Sequence, residues 1–140
     1  MLSLSTQDAA GLAAAARAAE ADALTAAGTF GEVLRGSPEF AALLAAENAL
    51  SADATANAAI AAFQSRQAEL RTELVMRVLT EAQRAELERL QKAMLAVPTV
   101  ASYVAATAAF QAICRETAAV VSAQIGIDFA ANCRSGGCCG

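Results

Sequence analysis

Histidine and tryptophan are absent from this 140-residue sequence, and aromatic residues make up only 4% of it. Without histidine the chain lacks the commonest general base and the commonest zinc ligand after cysteine, which excludes serine–histidine and cysteine–histidine catalysis. No phosphate-binding loop or nucleophile motif is present either, so an enzyme is not expected. Charged residues reach 17%, below the roughly 25% of soluble domains. So little polar surface implies faces covered by partner subunits. The formal net charge of −4 offers no basic footprint, so direct nucleic-acid binding is not expected. Asp8, Arg17, Glu20 and Asp22 interrupt the amino-terminal alanines, a pattern unlike a secretory leader. Residues 93–114 carry no charge and are long enough to cross a membrane, yet include Pro98, Thr99, Ser102, Thr107 and Gln111. They read as a buried helix without membrane insertion, in a cytoplasmic protein.

What is abundant is alanine, the best helix former because it loses no side-chain entropy in a helix. Ser5 and Asp8 can start a first helix, and a second runs from about residue 21 to Arg35, ended by Gly36. Ser37-Pro38-Glu39 suits the start of the next, with Phe40, Leu43, Leu44, Glu47 and Leu50 on one stripe. Ser51 and Asp53 offer caps for a longer helix with Ala56, Ile60, Phe63, Gln67, Leu70 and Leu74 on its face. Thr80 and Gln83 form a capping pair, followed by the stripe Leu87, Leu90, Met94 and Val97. Pro98 begins a long last helix bearing Tyr103, Thr107, Phe110, Cys114, Thr117 and Val121, with Gly126 near its end. The expected fold is all-α: a compact bundle of about five helices, the last one long and followed by a short cysteine-bearing tail. Three parts are expected: an alanine-rich extension over 1–20, a helical domain over 21–129 and the tail over 130–140.

Three stretches in order carry a likeness: Phe30-Gly31-Glu32-Val33-Leu34-Arg35-Gly36-Ser37-Pro38-Glu39-Phe40, then residues 60–70 with Phe63-Gln64 and Gln67, then residues 79–103 with Val97-Pro98, Val100 and Tyr103. Over about residues 21–129 the chain resembles the YlbF/YmcA family of bacterial cell-fate regulators. The resemblance implies a helical, oligomer-forming fold without catalytic residues. It also implies assembly with relatives in a complex that carries iron–sulfur clusters and assists a ribonuclease in RNA processing. The extension before residue 21 and the scarcity of lysine and glutamate depart from the family.

The tail Cys133-Arg134-Ser135-Gly136-Gly137-Cys138-Cys139-Gly140 holds three of the four cysteines. Thiolates are the usual iron–sulfur ligands, and the glycines let backbone wrap closely. Cys133, Cys138 and Cys139 are therefore the candidate cofactor and metal ligands, with a 4Fe–4S cluster first and zinc second. Three thiolates are one short of the usual four, so the fourth is expected from a second subunit, a related chain or a copy of this one. The bland alternative is a tail of free thiols. Cys114, on a stripe with Phe110 and Val121, reads as core packing. Glu69, Glu73, Glu81, Glu86 and Glu88 read as a solvated face, and Gln67 and Glu47 as either subunit contacts or stripe edges.

The leading expectation is a non-catalytic regulatory or adaptor subunit binding an iron–sulfur cluster through the tail and acting by assembly. An electron-transfer or structural subunit of an iron–sulfur oligomer and a cofactor-free helical scaffold are the alternatives.

Overall fold

The computed structural model describes residues 6–131, and among these there is helix and no strand. Six helices follow in order: α1 (Thr6–Arg35), α2 (Pro38–Ala52), α3 (Ala54–Glu69), α4 (Arg71–Met76), α5 (Glu81–Leu95) and α6 (Pro98–Ile125). The all-α expectation holds. Two compact units divide between Pro38 and Glu39.

The first unit is α1. Instead of two helices meeting near residue 20, the alanine-rich stretch forms one, because no proline interrupts it and alanine favours propagation. Thr25 and Thr29 donate their hydroxyls to the carbonyls of Ala21 and Thr25, which keeps both side chains satisfied within the helix. Leu12, Leu24 and Val33 are exposed. The chain leaves α1 at Gly36, whose amide bonds to Glu32 O at 3.0 Å.

α2 starts at Pro38, the last residue of the first unit, with Glu39 in its first turn, an arrangement that costs no hydrogen bond and suits the helix dipole. Asp53 caps α3: its Oδ1 accepts from Thr55 N at 2.9 Å and Ala56 N at 3.0 Å, and its Oδ2 accepts from Thr99 Oγ1 at 2.6 Å. The Thr99 hydroxyl foremost, with the Ala56 and Thr55 amides, holds the carboxyl below its ordinary range against a smaller opposing effect of burial. Phe40 near the start of α2 meets Phe110 in α6 at 5.5 Å between ring centres. With Asp53 just past the end of α2 bound to Thr99 at the start of α6, the two helices run antiparallel.

α3 and α5 pack together, tied by Arg66 to Glu86 at 2.8 Å, while Glu69 pairs with Arg66 within α3 at 2.8 Å. The expected long third helix bends at Leu70, which has φ −95° and ψ 13°. No proline or glycine stands there. Leu70 still donates to Arg66 O and accepts from Leu74 N, while its side chain is 4% exposed, so the bend buries Leu70 with little loss of hydrogen bonding. α4 then ends at Arg77, left-handed at φ 56°. Thr80 and Gln83 make the expected reciprocal cap of α5, at 3.2 and 2.8 Å. Gln83, Leu87, Leu90, Met94 and Val97 are half-buried as a single face.

Only Ala56, Leu70 and Val100 are buried among the described residues. α6 was expected to be a buried helix, but Val100 is its only buried residue. Its alanines present too little side chain to be covered by their neighbours in the chain, and Val104 and Val120 remain exposed.

Thr107 Oγ1 is buried without a partner among the described residues, whereas Thr117 donates to Ile113 O at 2.9 Å. Replacing Thr107 by valine keeps the shape and removes the unsatisfied hydroxyl, so the variant should gain about 1 kcal/mol in urea unfolding. A loss of stability would show that the hydroxyl is satisfied. Asp53 predicts a pH dependence. Its folded carboxyl titrates below its unfolded one, so its stabilisation is complete above the ordinary carboxylate range and fades as pH falls through the folded value. Thr99→Val removes the main cause. Its melting temperature should fall furthest below the parent's at neutral pH, with the gap closing in acid; thermal melts across pH check this, and a constant gap contradicts it.

Candidate functional site

Cys133, Cys138 and Cys139, the ligands expected from the sequence, lie outside the described residues. The structure describes the chain as far as Ala131 and shows how it turns at the end of α6. α6 ends at Gly126, left-handed at φ 74°, where a side chain would be strained. Its amide bonds to Ser122 O at 2.9 Å. Ser122 Oγ donates to Ala118 O at 2.7 Å and accepts from Phe129 N at 3.0 Å, so the main chain beyond Gly126 turns back onto the last turns of α6. Residues 129–131, expected to be partly irregular, form a further helical turn. Asp128 supports it by accepting from Ala131 N at 3.0 Å.

Between this return and α6 lies an open groove of about 790 Å³, lined among others by Cys114, Arg115, Ser122, Gly126, Asp128 and Ala130. Cys114 is a free thiol and only half-buried, in a groove wall rather than in a closed core. Arg115 adds a cation beside it. Sequence reasoning missed the groove. The glycine at 126 followed by an aspartate two residues on was the available signal, since it pairs a helix stop with a cap for a new turn.

Ile125, Ile127 and Phe129 are exposed around this end of the chain. α6 is the one described helix long and apolar enough, by length and composition, to cross a membrane. One such helix is not a sign of insertion, and Arg115 and Glu116 interrupt it. Glu47 and Gln67, the polar residues on apolar stripes, are both exposed. Of the glutamates read as a solvated face, Glu69 and Glu86 serve Arg66.

A family model described as control of competence regulator ComK, YlbF/YmcA, matches residues 23–126, which takes in the second half of α1 and all of α2–α6 up to the glycine stop. The groove's outer wall and the tail lie beyond the match. No curated protein and no solved structure matches the chain. With most of the chain covered by that model and an all-helical fold to accompany it, the chain belongs to the YlbF/YmcA family of regulators.

Proposed function

We propose that this chain is a non-catalytic regulatory or adaptor subunit, acting in the cytoplasm, that assembles with copies of itself or with related subunits. We further propose that it binds an iron–sulfur cluster through Cys133, Cys138 and Cys139. The observation that carries the assembly reading is the meagre core: among the described residues alanine, leucine and valine are the only buried residue types, while Leu24, Val33, Val75, Val104 and Val120 stand exposed on three helices. Apolar faces of this extent are characteristic of protein–protein contact. Membership of a regulator family agrees with action by contact rather than by turnover.

The donor chemistry supports the cofactor reading. Iron–sulfur clusters take cysteine thiolates, the chain has no histidine to offer zinc, and three of its cysteines lie within seven residues of one another. Arg134 among them offsets thiolate charge. A bound cluster would make assembly responsive to oxidation and to iron supply. By family resemblance, the assembly would assist RNA processing through a ribonuclease partner, with no direct contact between this acidic chain and nucleic acid.

The experiment is purification without oxygen of the parent chain and of a variant with Cys133, Cys138 and Cys139 all replaced by serine, followed by visible absorption and by iron and sulfide analysis. The parent should show a broad charge-transfer band with iron and sulfide in equal amounts, and the variant should lose both. A parent chain that is colourless and free of iron contradicts the cofactor reading and leaves a helical scaffold.

A further inference from the structure

We propose that α1 of a second copy of this chain seats antiparallel on the exposed face of α6, with its first half in the groove at the end of that helix. The contact is reciprocal: each copy's α1 lies on the other's α6 about a twofold axis. This inference rests on the assembly reading above and names the surfaces that carry it.

Pattern comes first. Leu12, Ala16, Ala19, Ala23, Phe30 and Val33 follow at three-, four- and seven-residue steps, so they form one stripe along α1, and all are exposed. The other side of α1 is satisfied within the helix, with Arg35 on Glu32 and the Thr25 and Thr29 hydroxyls on carbonyls. α6 carries a line at the same spacing, Ala101, Ala105, Ala108, Arg115, Ala119 and Ala123, also exposed and on the side away from Phe110, which meets Phe40. Both lines are about 32 Å long at 1.5 Å per residue. Laid antiparallel with Leu12 beside Ala123, they set Ala16 beside Ala119 and Phe30 beside Ala105. Large residues of one helix then fill the space left by small residues of the other.

Charge agrees with this overlap. Arg115 is the only charged residue on the α6 line, while Glu20 and Asp22 flank the α1 stripe. The antiparallel overlap sets Arg115 opposite Glu20, with Asp22 within one turn, and brings Glu116 within one turn of Arg17. A parallel overlap of the same length moves Glu20 about 9 Å along the helix from Arg115. Shape agrees as well. Ala119 and Ala123 also line the groove of about 790 Å³, whose outer wall includes Ile127 and Ala130, so the face is concave where Leu12 lands. Residues 6–22 of α1 precede the family match and this outer wall follows it, so both partners at this end are additions to the family's own span. Area settles the choice of occupant. A contact about 32 Å long between helices about 12 Å across covers roughly 400 Å² on each side. Two reciprocal contacts reach roughly 1,600 Å², the size of a standard specific interface, whereas one α1 laid on another reaches about half of that.

The test uses the full chain in two ways. First, Leu12 is replaced by the photocrosslinker benzoylphenylalanine, and the crosslinked peptides are read by mass. The expected result is a species of two-chain mass joined between position 12 and residues 119–127. A join to that region in a species of one-chain mass, a join to α1, or no two-chain species overturns the proposal. Second, self-association is measured by sedimentation equilibrium for Ala16→Glu, for Ala119→Arg and for the two together, with Ala21→Glu on the opposite side of α1 as control. Each single change on the contact should weaken association roughly tenfold or more, the pair should restore part of it, and the control should leave it unchanged. Far-UV circular dichroism checks that each variant keeps its helices. An oligomeric parent whose association neither contact change affects overturns this proposal and leaves the assembly reading standing. A monomeric parent overturns the assembly reading itself.

Discussion

The carboxylate of Asp53 is the joint on which the second unit depends. It caps α3 with one oxygen and takes the Thr99 hydroxyl on the other, so the end of α2, the start of α3 and the start of α6 meet at one side chain. Asn57 adds to the joint by donating to Ser51 O at 3.2 Å. Two of the three residues buried among those described adjoin it in sequence, Ala56 within the capped turn and Val100 after Thr99. A hydrogen bond to an ionised group is about twice as strong as one between neutral groups. With only Ala56, Leu70 and Val100 buried among the described residues, dispersion between large buried side chains is scarce, and such a bond carries more of the work of fixing helix positions. The antiparallel pairing of α2 with α6 follows from it, as Phe40 is thereby set against Phe110. Arg66 plays the corresponding part for α3 and α5, where its fork reaches Glu69 and Glu86.

The same scarcity of large side chains that makes the joint necessary also leaves the helices uncovered. An alanine face lets helices approach closely but removes little apolar area from water for each residue. The valines and leucines that could have closed a core point outward instead on α1, α4 and α6. A regulator that works by contact needs such faces. Binding a partner then supplies burial that a single chain lacks, so stability and assembly become the same free energy.

Much of the fold was legible because its boundaries are written in local chemistry. Gly36 with Pro38, Thr80 with Gln83, and Pro98 each stop or start a helix through the conformation and hydrogen bonding of a few neighbouring residues, and each falls where the residues place it. The bend at Leu70 was not legible, since no helix breaker marks it and its cause is the burial of one side chain. Nor was the union of α1, because an alanine run contains no sign of whether one helix or two will form. The Asp53–Thr99 and Arg66–Glu86 contacts join residues 46 and 20 positions apart, and neither has a sequence spacing that announces it. For the site, the three tail cysteines were readable from composition. The groove that holds Cys114 was not, because it arises from the reversal at Gly126 and the anchoring of Phe129 on Ser122.

The central claim is that this chain is built to be covered by other subunits. Sedimentation equilibrium of the full chain over a wide concentration range, together with its thermal melt, tests that most directly. The account predicts a mass above the 14.2 kDa of one chain, with a melting temperature that rises with concentration. A 14.2 kDa monomer that melts cooperatively at a temperature independent of concentration would contradict it.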